Sequence, residues 1–517
     1  MRRALVLGLG DSGLAMARWL AREGWQIRVA DTREDPPMRA ALCQAQPEVD
    51  LVLGPFELTS LEGVELLAIS PGLPPHRPPA AALVAAARKA GLPVVGEIEL
   101  FAQALTRLRT ERGHQPKVIG VTGTNGKTTT TRLTGKMVQA CGRDAAVAGN
   151  IAPCALDVLA ARLEASRLPE VWVLELSSFQ LETTASLVCH AGAILNISED
   201  HLDWHETMAH YTRAKQRILV RGATAVLNRA DAAVMALAPA GARASSFGPD
   251  APVRSGEFGL VHDRGIDWLA LAEGPGEPAP RRRALHPDDA AVFIRRLMPS
   301  DALRIHGRHN ALNAMAALAL ARAIGCPLGP CLQALREYRG ESHRTERVAV
   351  KAGVEYYDDS KATNVGATLA AIEGLAAGGR KLVVILGGDG KQQRFAPLAA
   401  AVAAHARATI LIGRDGPLIG QALQGIAVPI ESAATLPEAV RRASALALAG
   451  DAVLLSPACA SFDMFRNYAH RAEVFVQAVQ ELSDPQGAAA RGASPGDDPA
   501  AGAGQAGERP AAKAHCA

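Results

Sequence analysis

The sequence predicts an α/β protein of three domains. Short apolar, β-branched runs alternate with stretches of helical periodicity along the chain. Two glycine-rich turns each follow such a run and open a helix, and 517 residues are too many for a single hydrophobic core. The units expected are residues 1–108, 109–345 and 346–482. Residues 483–517 are rich in Gly, Ala, Pro, Ser and Asp, lack periodicity, and read as a disordered tail.

In the first unit, residues 4–7 read as a buried strand. Gly8-Leu9-Gly10-Asp11-Ser12-Gly13 follows, then a helix over 14–22 and a second strand over 27–30 that closes in Asp31. Strand, G-x-G-x-x-G, helix, strand and acidic residue make the dinucleotide-binding pattern of a Rossmann-like domain. It predicts phosphates at the helix N-terminus and a ribose or base near Asp31. The residues alone do not choose the nucleotide, NAD being the most frequent occupant of such a turn. Another strand, 66–69, ends in Ser70-Pro71-Gly72 at the same carboxyl edge, where open α/β sheets bind ligands. Residues 106–116 are polar and aperiodic and read as a linker.

The second unit opens with a strand at 118–122 and the turn Gly123-Thr124-Asn125-Gly126-Lys127-Thr128-Thr129, leading into a helix near residue 130. Glycines let backbone N–H groups approach a phosphate, the helix N-terminus attracts its charge, and Lys127 reaches its outer oxygens. The Thr128 hydroxyl stands where a Mg²⁺ of a nucleoside triphosphate is ligated. This predicts a central P-loop ATPase-type domain, although G-x-x-x-x-G-K-[ST] would place a glycine at Val121. Glu175 ends the strand 171–174, where an acidic residue completes a Mg²⁺ shell. His201 and His205 are four apart, but Leu202 stands where a zinc protease needs Glu, so an oxygen-rich Mg²⁺ site fits better than zinc. Taken alone, Lys215 reads as a solvated helical lysine. Residues 240–300 are rich in Ala, Pro, Gly and Arg with only short strand-like patches, Arg281-Arg282-Arg283 reads as a solvated loop, and a helix spans 309–324.

The third unit repeats the strand–helix alternation. Asp358-Asp359-Ser360-Lys361-Ala362-Thr363-Asn364 follows the strand 354–357, Gly387 to Lys391 follows 381–386, and Ser456 to Asp463 follows 452–455. Lys361, Lys391 and Ser461 at strand ends suit a small anionic substrate on a second Rossmann-like domain.

Composition excludes little else. A formal charge of +3 gives no argument for nucleic-acid or membrane partners. The apolar run after Met1-Arg2-Arg3 is too short for a signal peptide, and nothing is long enough to span a bilayer. A cytoplasmic monomer is expected. The eight cysteines (43, 141, 154, 189, 326, 331, 459 and 516) contain no C-x-x-C pair, so neither a zinc site nor disulfides are suggested.

Together these motifs resemble the Mur ligases, ATP-dependent amide-forming enzymes of bacterial cell-wall synthesis. The resemblance runs from residue 4 to 482, except that residues 240–300 match the family poorly and look inserted. It rests on Gly123 to Thr129, Gly149-Asn150-Ile151, Glu175 to Leu181, Asn196 to Asp203 and His309 to Asn313. The loop and the Glu-Asp-His run alone also fit folylpolyglutamate synthases, and a non-catalytic nucleotide-binding protein is the rival from another class. Asp358 to Asn364 and Ser456 to Asp463 look like motifs of the members that add D-glutamate.

The resemblance implies that ATP phosphorylates the alanine carboxylate of UDP-N-acetylmuramoyl-L-alanine and that D-glutamate attacks the acyl phosphate. Lys127 would hold the ATP phosphates, and Thr128 and Glu175 one Mg²⁺. His201 and a carbamylated Lys215 would belong to a second Mg²⁺. Asn150 would contact the acyl phosphate or the UDP-sugar, and Asn310 and Arg344 would contact ATP. Lys361, Thr363, Lys391, Ser461 and Phe462 would surround D-glutamate, with Tyr468 where Phe is usual. Gly10, Ser12, Gly13, Asp31, Thr32, Arg33, Ser70 and Gly72 would bind the UDP end, which demotes NAD.

Overall fold

The computed structural model describes residues 2–219, 223–239, 244–274, 292–305 and 307–482. The expected tail and the arginine run at 281–283 lie outside the described residues. Three sheets organise the chain, giving the α/β, three-domain architecture that the sequence predicts.

The first sheet contains β1 (Arg3–Leu7), β2 (Gln26–Asp31), β3 (Asp50–Leu53), β4 (Leu66–Ile69) and β5 (Val94–Val95), all parallel in the order β3-β2-β1-β4-β5. The order reverses between β1 and β4, which opens a crevice at their carboxyl ends. There Gly8 adopts φ +83° and its carbonyl accepts the Ser70 hydroxyl at 2.7 Å. Residues 106–112, read as linker, belong instead to a helix, Glu97–Arg112, closed by Gly113 at φ +66°. Arg107, Arg109, Glu111 and Arg112 lie on its outer side. Ile98, Phe101, Ala102, Ala104 and Leu108 line the inner one, so the apolar stripe is too thin to stand out in the sequence.

The middle sheet has nine strands: β6 (Lys117–Thr122), β7 (Ala145–Gly149), β8 (Val171–Glu175), β9 (Ala191–Ile194), β10 (Thr224–Asn228), β11 (Ala244–Phe247), β12 (Phe258–Asp263), β13 (Ile266–Glu273) and β14 (Phe293–Pro299). Their order is β14-β13-β12-β11-β10-β9-β6-β8-β7. The sheet is parallel from β7 to β12 and antiparallel from β12 to β14. The described part of the stretch 240–300 thus continues this sheet. One face buries helices Lys127–Ala140 and Arg308–Ala323, and the other shares an apolar cluster with the first domain, where Phe101 meets Trp172 edge-on at 4.8 Å.

The third sheet, β15 (Glu346–Lys351), β16 (Val354–Asp358), β17 (Leu382–Gly387), β18 (Ala406–Ile412), β19 (Ile430–Ser432) and β20 (Ala452–Leu455), runs β15-β16-β20-β17-β18-β19. Only its edge strand β15 is antiparallel to its neighbour. It carries its own apolar clusters on both faces. Among the described residues, no helix is long and apolar enough to cross a membrane.

Candidate active site

The central strand β6 delivers Gly123–Gly126 to the carboxyl edge of the middle sheet. Gly126, at φ +82°, opens helix Lys127–Ala140, and a Cβ there would lie 2.3 Å from Asn313 Oδ1, so no side chain fits. Lys127 Nζ donates to the carbonyls of Gly123 at 3.0 Å and Thr124 at 2.8 Å. Lys215 Nζ donates to the same Gly123 carbonyl at 2.8 Å and sits 4.4 Å from the Tyr211 ring centroid. Lys215 is 1% exposed, which overturns its reading as a solvated lysine. On helix Met208–Gln216, Tyr211 and Lys215 share the inward face, whereas Arg213 points outward.

Burial lowers the pKa of both lysines, and for Lys215 the ammonium of Lys127 adds to it; Glu175 and Asp200 oppose the shift in each. Arg344 and Lys361 also act on Lys127. Four cationic side chains therefore face two carboxylates, a balance that an anionic ligand would complete.

Glu175, at the end of β8, accepts from Asn150 Nδ2 at 2.8 Å through Oε1; its Oε2 is buried with no hydrogen-bond partner among the described residues. Thr128 Oγ1 accepts from Arg344 Nη2 at 2.7 Å. His201, at φ +55°, places Nε2 3.5 Å from Asp200 Oδ2. Burial lowers its pKa to about 4 against the pull of Asp200, so the ring is neutral at physiological pH and able to ligate a metal. His205 Nε2 instead contacts Ser178 Oγ at 2.8 Å, which leaves His201 and His205 without a shared zinc geometry. The orphaned Glu175 oxygen, the Thr128 hydroxyl and the neutral His201 fit a hard, oxygen-seeking cation such as Mg²⁺.

A cavity of about 330 Å³ adjoins the loop and is lined by Asn125, Gly126, Thr129, Asn310, Arg344 and Lys361. Asn196, His309, Asn313 and Asp359, which the sequence places in motifs without giving them a role, line it as well, with Asn228 and Phe247, which the sequence does not single out. Asn196 exchanges two hydrogen bonds with the Asn125 backbone, at 2.7 and 3.0 Å, and so fixes the loop. Burial raises Asp359 to about 7 despite the Ser456 hydroxyl at 2.7 Å. Thr124 is turned inward, its hydroxyl 3.0 Å from Tyr211 Oη and accepting from Ser198 N.

The third domain closes the cavity. Asn125 and Asn364 exchange side-chain hydrogen bonds at 3.1 and 3.0 Å, and Asn364 also donates to Asp200 at 3.2 Å. The two asparagines are 239 residues apart in sequence, which hides this junction from motif reading. Lys361, Thr363, Lys391 and Ser461 gather at the carboxyl ends of the adjacent strands β16, β17 and β20, where Asp389 and Ala460 also form a bridge. Lys361 Nζ lies 4.9 Å from the Tyr468 ring centroid, and Lys391 is near enough to lower the His201 pKa. Ser461 is buried, but Phe462 is 72% exposed, so its ring forms no packed wall here.

A second cavity, about 460 Å³, lies at the first-sheet crevice and is lined by Gly10, Ser12, Asp31, Thr32, Arg33, Ser70 and Gly72. Gly13 is not on this wall: it lets the helix approach Gly8, whose carbonyl would be 1.9 Å from a Cβ at 13. Asp31 is not open to a ribose hydroxyl. It accepts from Leu9 N at 2.6 Å and from Arg33 N, Nε and Nη2 at 2.9, 2.9 and 2.7 Å. Burial pushes its pKa up, but the Arg33 fork and the two amides outweigh it and hold it low. Arg33 therefore presents the charge to the cavity.

A Rossmann-like crevice, a central nucleotide loop and a third domain bearing lysines at its strand ends define a ligase of the Mur type, and the chain belongs to the Mur ligase family. Residues 2–96 match the description "Mur ligase MurD-like, N-terminal domain", 121–270 "Mur ligase middle domain" and 343–459 "Mur ligase, glutamate ligase domain". Within the family it is similar to the UDP-N-acetylmuramoylalanine–D-glutamate ligase of Ralstonia nicotianae, 55% identical over 93% of this chain and 97% of that one. The enzyme of the same name from Burkholderia ambifaria is 56% identical over 94% and 98%. Among solved structures, the UDP-N-acetylmuramate–alanine ligase MurC of Thermotoga maritima shares the fold, with a TM-score of 0.56 at 19% identity over 93% of this chain and 99% of that one.

Proposed function

We propose that this protein is an ATP-dependent amide ligase that adds D-glutamate to UDP-N-acetylmuramoyl-L-alanine in peptidoglycan synthesis. The observation that carries the reading is the near full-length similarity to D-glutamate ligases, at 55% identity. The cationic loop facing the third-domain lysines supplies the matching chemistry. A folylpolyglutamate synthase would have no use for the first-sheet crevice. The same reading makes it a cytoplasmic monomer.

The alanine carboxylate attacks the γ-phosphorus of ATP, ADP leaves, and an acyl phosphate forms. The amine of D-glutamate then attacks the acyl carbon, and the tetrahedral adduct expels phosphate and loses the amine proton to give the amide. Mg²⁺ supplies charge neutralisation on the transferring phosphoryl group. Thr128 and Glu175 would hold one ion, and His201 and a carbamylated Lys215 the second. Burial lowers the Lys215 pKa, which eases loss of the ammonium proton, the condition for capture of CO₂ as a carbamate that would turn a cation into an oxygen ligand. Lys127 neutralises the phosphates over the Gly123–Thr129 cradle, with Asn310 and Arg344 on the nucleotide. Asn150 orients the acyl phosphate while it holds Glu175. Lys361, Thr363, Lys391, Ser461 and Phe462 receive D-glutamate, and Ser12, Thr32, Arg33, Ser70 and Gly72 receive the UDP end. Positioning and preorganised charge do most of the catalytic work.

Phosphate release assayed across D-glutamate, L-lysine, diaminopimelate and L-alanine tests this. Release is expected only with ATP, UDP-N-acetylmuramoyl-L-alanine and D-glutamate together, and roughly 10³-fold slower in Lys127→Ala. Equal release with another amino acid would refute the substrate assignment.

A further inference from the structure

The third domain buries one cation that the site as described so far does not use. Helix Tyr468–Glu481 buries Ala472, Phe475, Ala478 and Val479, the last three against strands of the third sheet, and Arg471 heads the same stripe at 1% exposure. Its guanidinium bonds two loops. Nε donates to Ser360 Oγ at 3.0 Å and Nη2 to the Ser360 carbonyl at 2.7 Å, while Nη1 is shared between the carbonyls of Cys459 at 3.1 Å and Ala460 at 3.4 Å. The Ser360 hydroxyl in turn donates to the Tyr468 carbonyl at 2.7 Å, which returns the tie to the helix.

Ser360 immediately precedes Lys361, and Ala460 immediately precedes Ser461. The Ala460 carbonyl also accepts from Asp389 N at 2.9 Å, and Ala460 N donates to the Asp389 carbonyl at 2.8 Å, so the tie reaches the loop that carries Lys391. Ala458, in the loop of Ser461, has φ +59°, a left-handed backbone that a Cβ disfavours and that surrounding bonds must hold. The arrangement is unfavourable for Arg471 itself. It is buried, it stands in the first turn of a helix where the dipole repels a cation, and it makes no salt bridge among the described residues. Asp358, Asp359 and Asp463 act on it only across space, and each is bonded elsewhere, to His343, Ser456 and Arg414 N. Burial lowers its pKa to about 10, which leaves it charged at physiological pH.

We propose that Arg471 is a positioning and specificity-determining residue of the amino-acid pocket. Its fork sets the mutual position of the loops that carry Lys361, Ser461 and Lys391, and its unpaired charge favours an amino acid with a second carboxylate. Holding four acceptors at once needs the fixed fork of donors of a guanidinium, which an ammonium does not reproduce. On the D-glutamate reading of the function, on which this role rests, Arg471 acts through the loops rather than on the reacting atoms. Its charge is screened less in the interior than it would be in water.

Steady-state phosphate release by the full-length protein, with each of the three substrates varied in turn, tests this. Arg471→Gln should raise KM for D-glutamate about thirtyfold and leave KM for ATP and for the UDP-sugar unchanged. Arg471→Lys keeps the charge and loses the fork, and should raise it about tenfold, between the parent and Arg471→Gln. Ser360→Ala removes one acceptor and should raise it about fivefold; it carries the test should Arg471→Gln fail to fold. A KM for D-glutamate that is unchanged in these variants would overturn the role of Arg471. So would an equal rise for all three substrates, which a general loss of packing would give. An Arg471→Lys variant no better than Arg471→Gln would overturn the part assigned to the charge. A parent that releases phosphate no faster with D-glutamate than without it would overturn the functional reading itself, so the two failures are told apart.

Discussion

The two glycine-rich turns of this protein look alike in sequence and differ in what they leave unfinished. At Gly8–Gly13 the polar groups satisfy one another: Ser70 bonds the Gly8 carbonyl, and Asp31 is saturated by Leu9 and Arg33. At Gly123–Gly126 two lysines, Lys215 fully buried, share one carbonyl, and a buried carboxylate oxygen has no partner among the described residues. The first turn is a finished binding surface. The second is completed by its ligands, and holding unpaired charge out of water is how a site becomes selective for a reaction that moves charge.

The sharpest way to break this contrast is Glu175→Gln. The amide keeps an acceptor for Asn150 but removes the charge that balances Lys127 and Lys215 and that would hold the cation. Turnover should fall about 10²-fold and its Mg²⁺ dependence should move to higher concentration, with KM for the UDP-sugar little changed. A variant with full turnover at ordinary Mg²⁺ would show that the orphaned oxygen has no part in catalysis.

The corresponding cut in the finished turn is Arg33→Ala. It should raise KM for the UDP-sugar about tenfold and leave kcat alone, the signature of binding used equally in ground and transition states. The variant also unpairs Asp31. Because Arg33 holds the Asp31 pKa below its ordinary value, the stability it contributes is present above that value and is lost as pH falls through the lowered one. Denaturation of Arg33→Ala in acid should therefore begin at a higher pH than in the parent. A loss of kcat would mean that the two turns are coupled in catalysis.

The same contrast explains what could be read from the chain. Strands β1, β4, β8 and β20 announce themselves because parallel strands buried on both faces are continuous apolar runs. Edge strands such as β3, with half-exposed residues, and the two-residue β5 carry no such run. In the site, residues that touch phosphate through the backbone come in a compact motif, so Gly123 to Thr129 was legible. Asn364 was visible only as part of a motif, because its partners Asn125 and Asp200 belong to another domain. Burial of Lys215 is equally a tertiary fact: Thr212, Arg213 and Gln216 around it are polar, and only the sheet edge beneath makes that face an interior. Cys141 and Cys331 show the limit most plainly, since nothing in a separation of 190 residues hints that their sulfurs lie 3.8 Å apart.

The smallest expected effect comes from a carboxylate that mimics Glu175 outside the site. Glu97, at the junction of the first and middle domains, accepts from Leu156 N at 2.9 Å through one oxygen and leaves the other buried without a partner among the described residues. No lysine among the described residues answers it. Burial pushes its pKa up to about 7, and Asp157 adds to the rise. The folded state then keeps a proton that the unfolded chain releases near pH 4.5, so stability declines as pH rises from there through about 7 and the penalty is complete above it. Glu97→Gln keeps the acceptor for Leu156 and removes the titration. It should melt at the same temperature as the parent near pH 5 and a few degrees higher near pH 8, a difference of up to about 3 kcal/mol, with turnover unchanged. If the two melting curves kept a constant separation across that range, Glu97 would not be the titrating group. Its buried oxygen would then be paired by water, and Glu175 would lose its control.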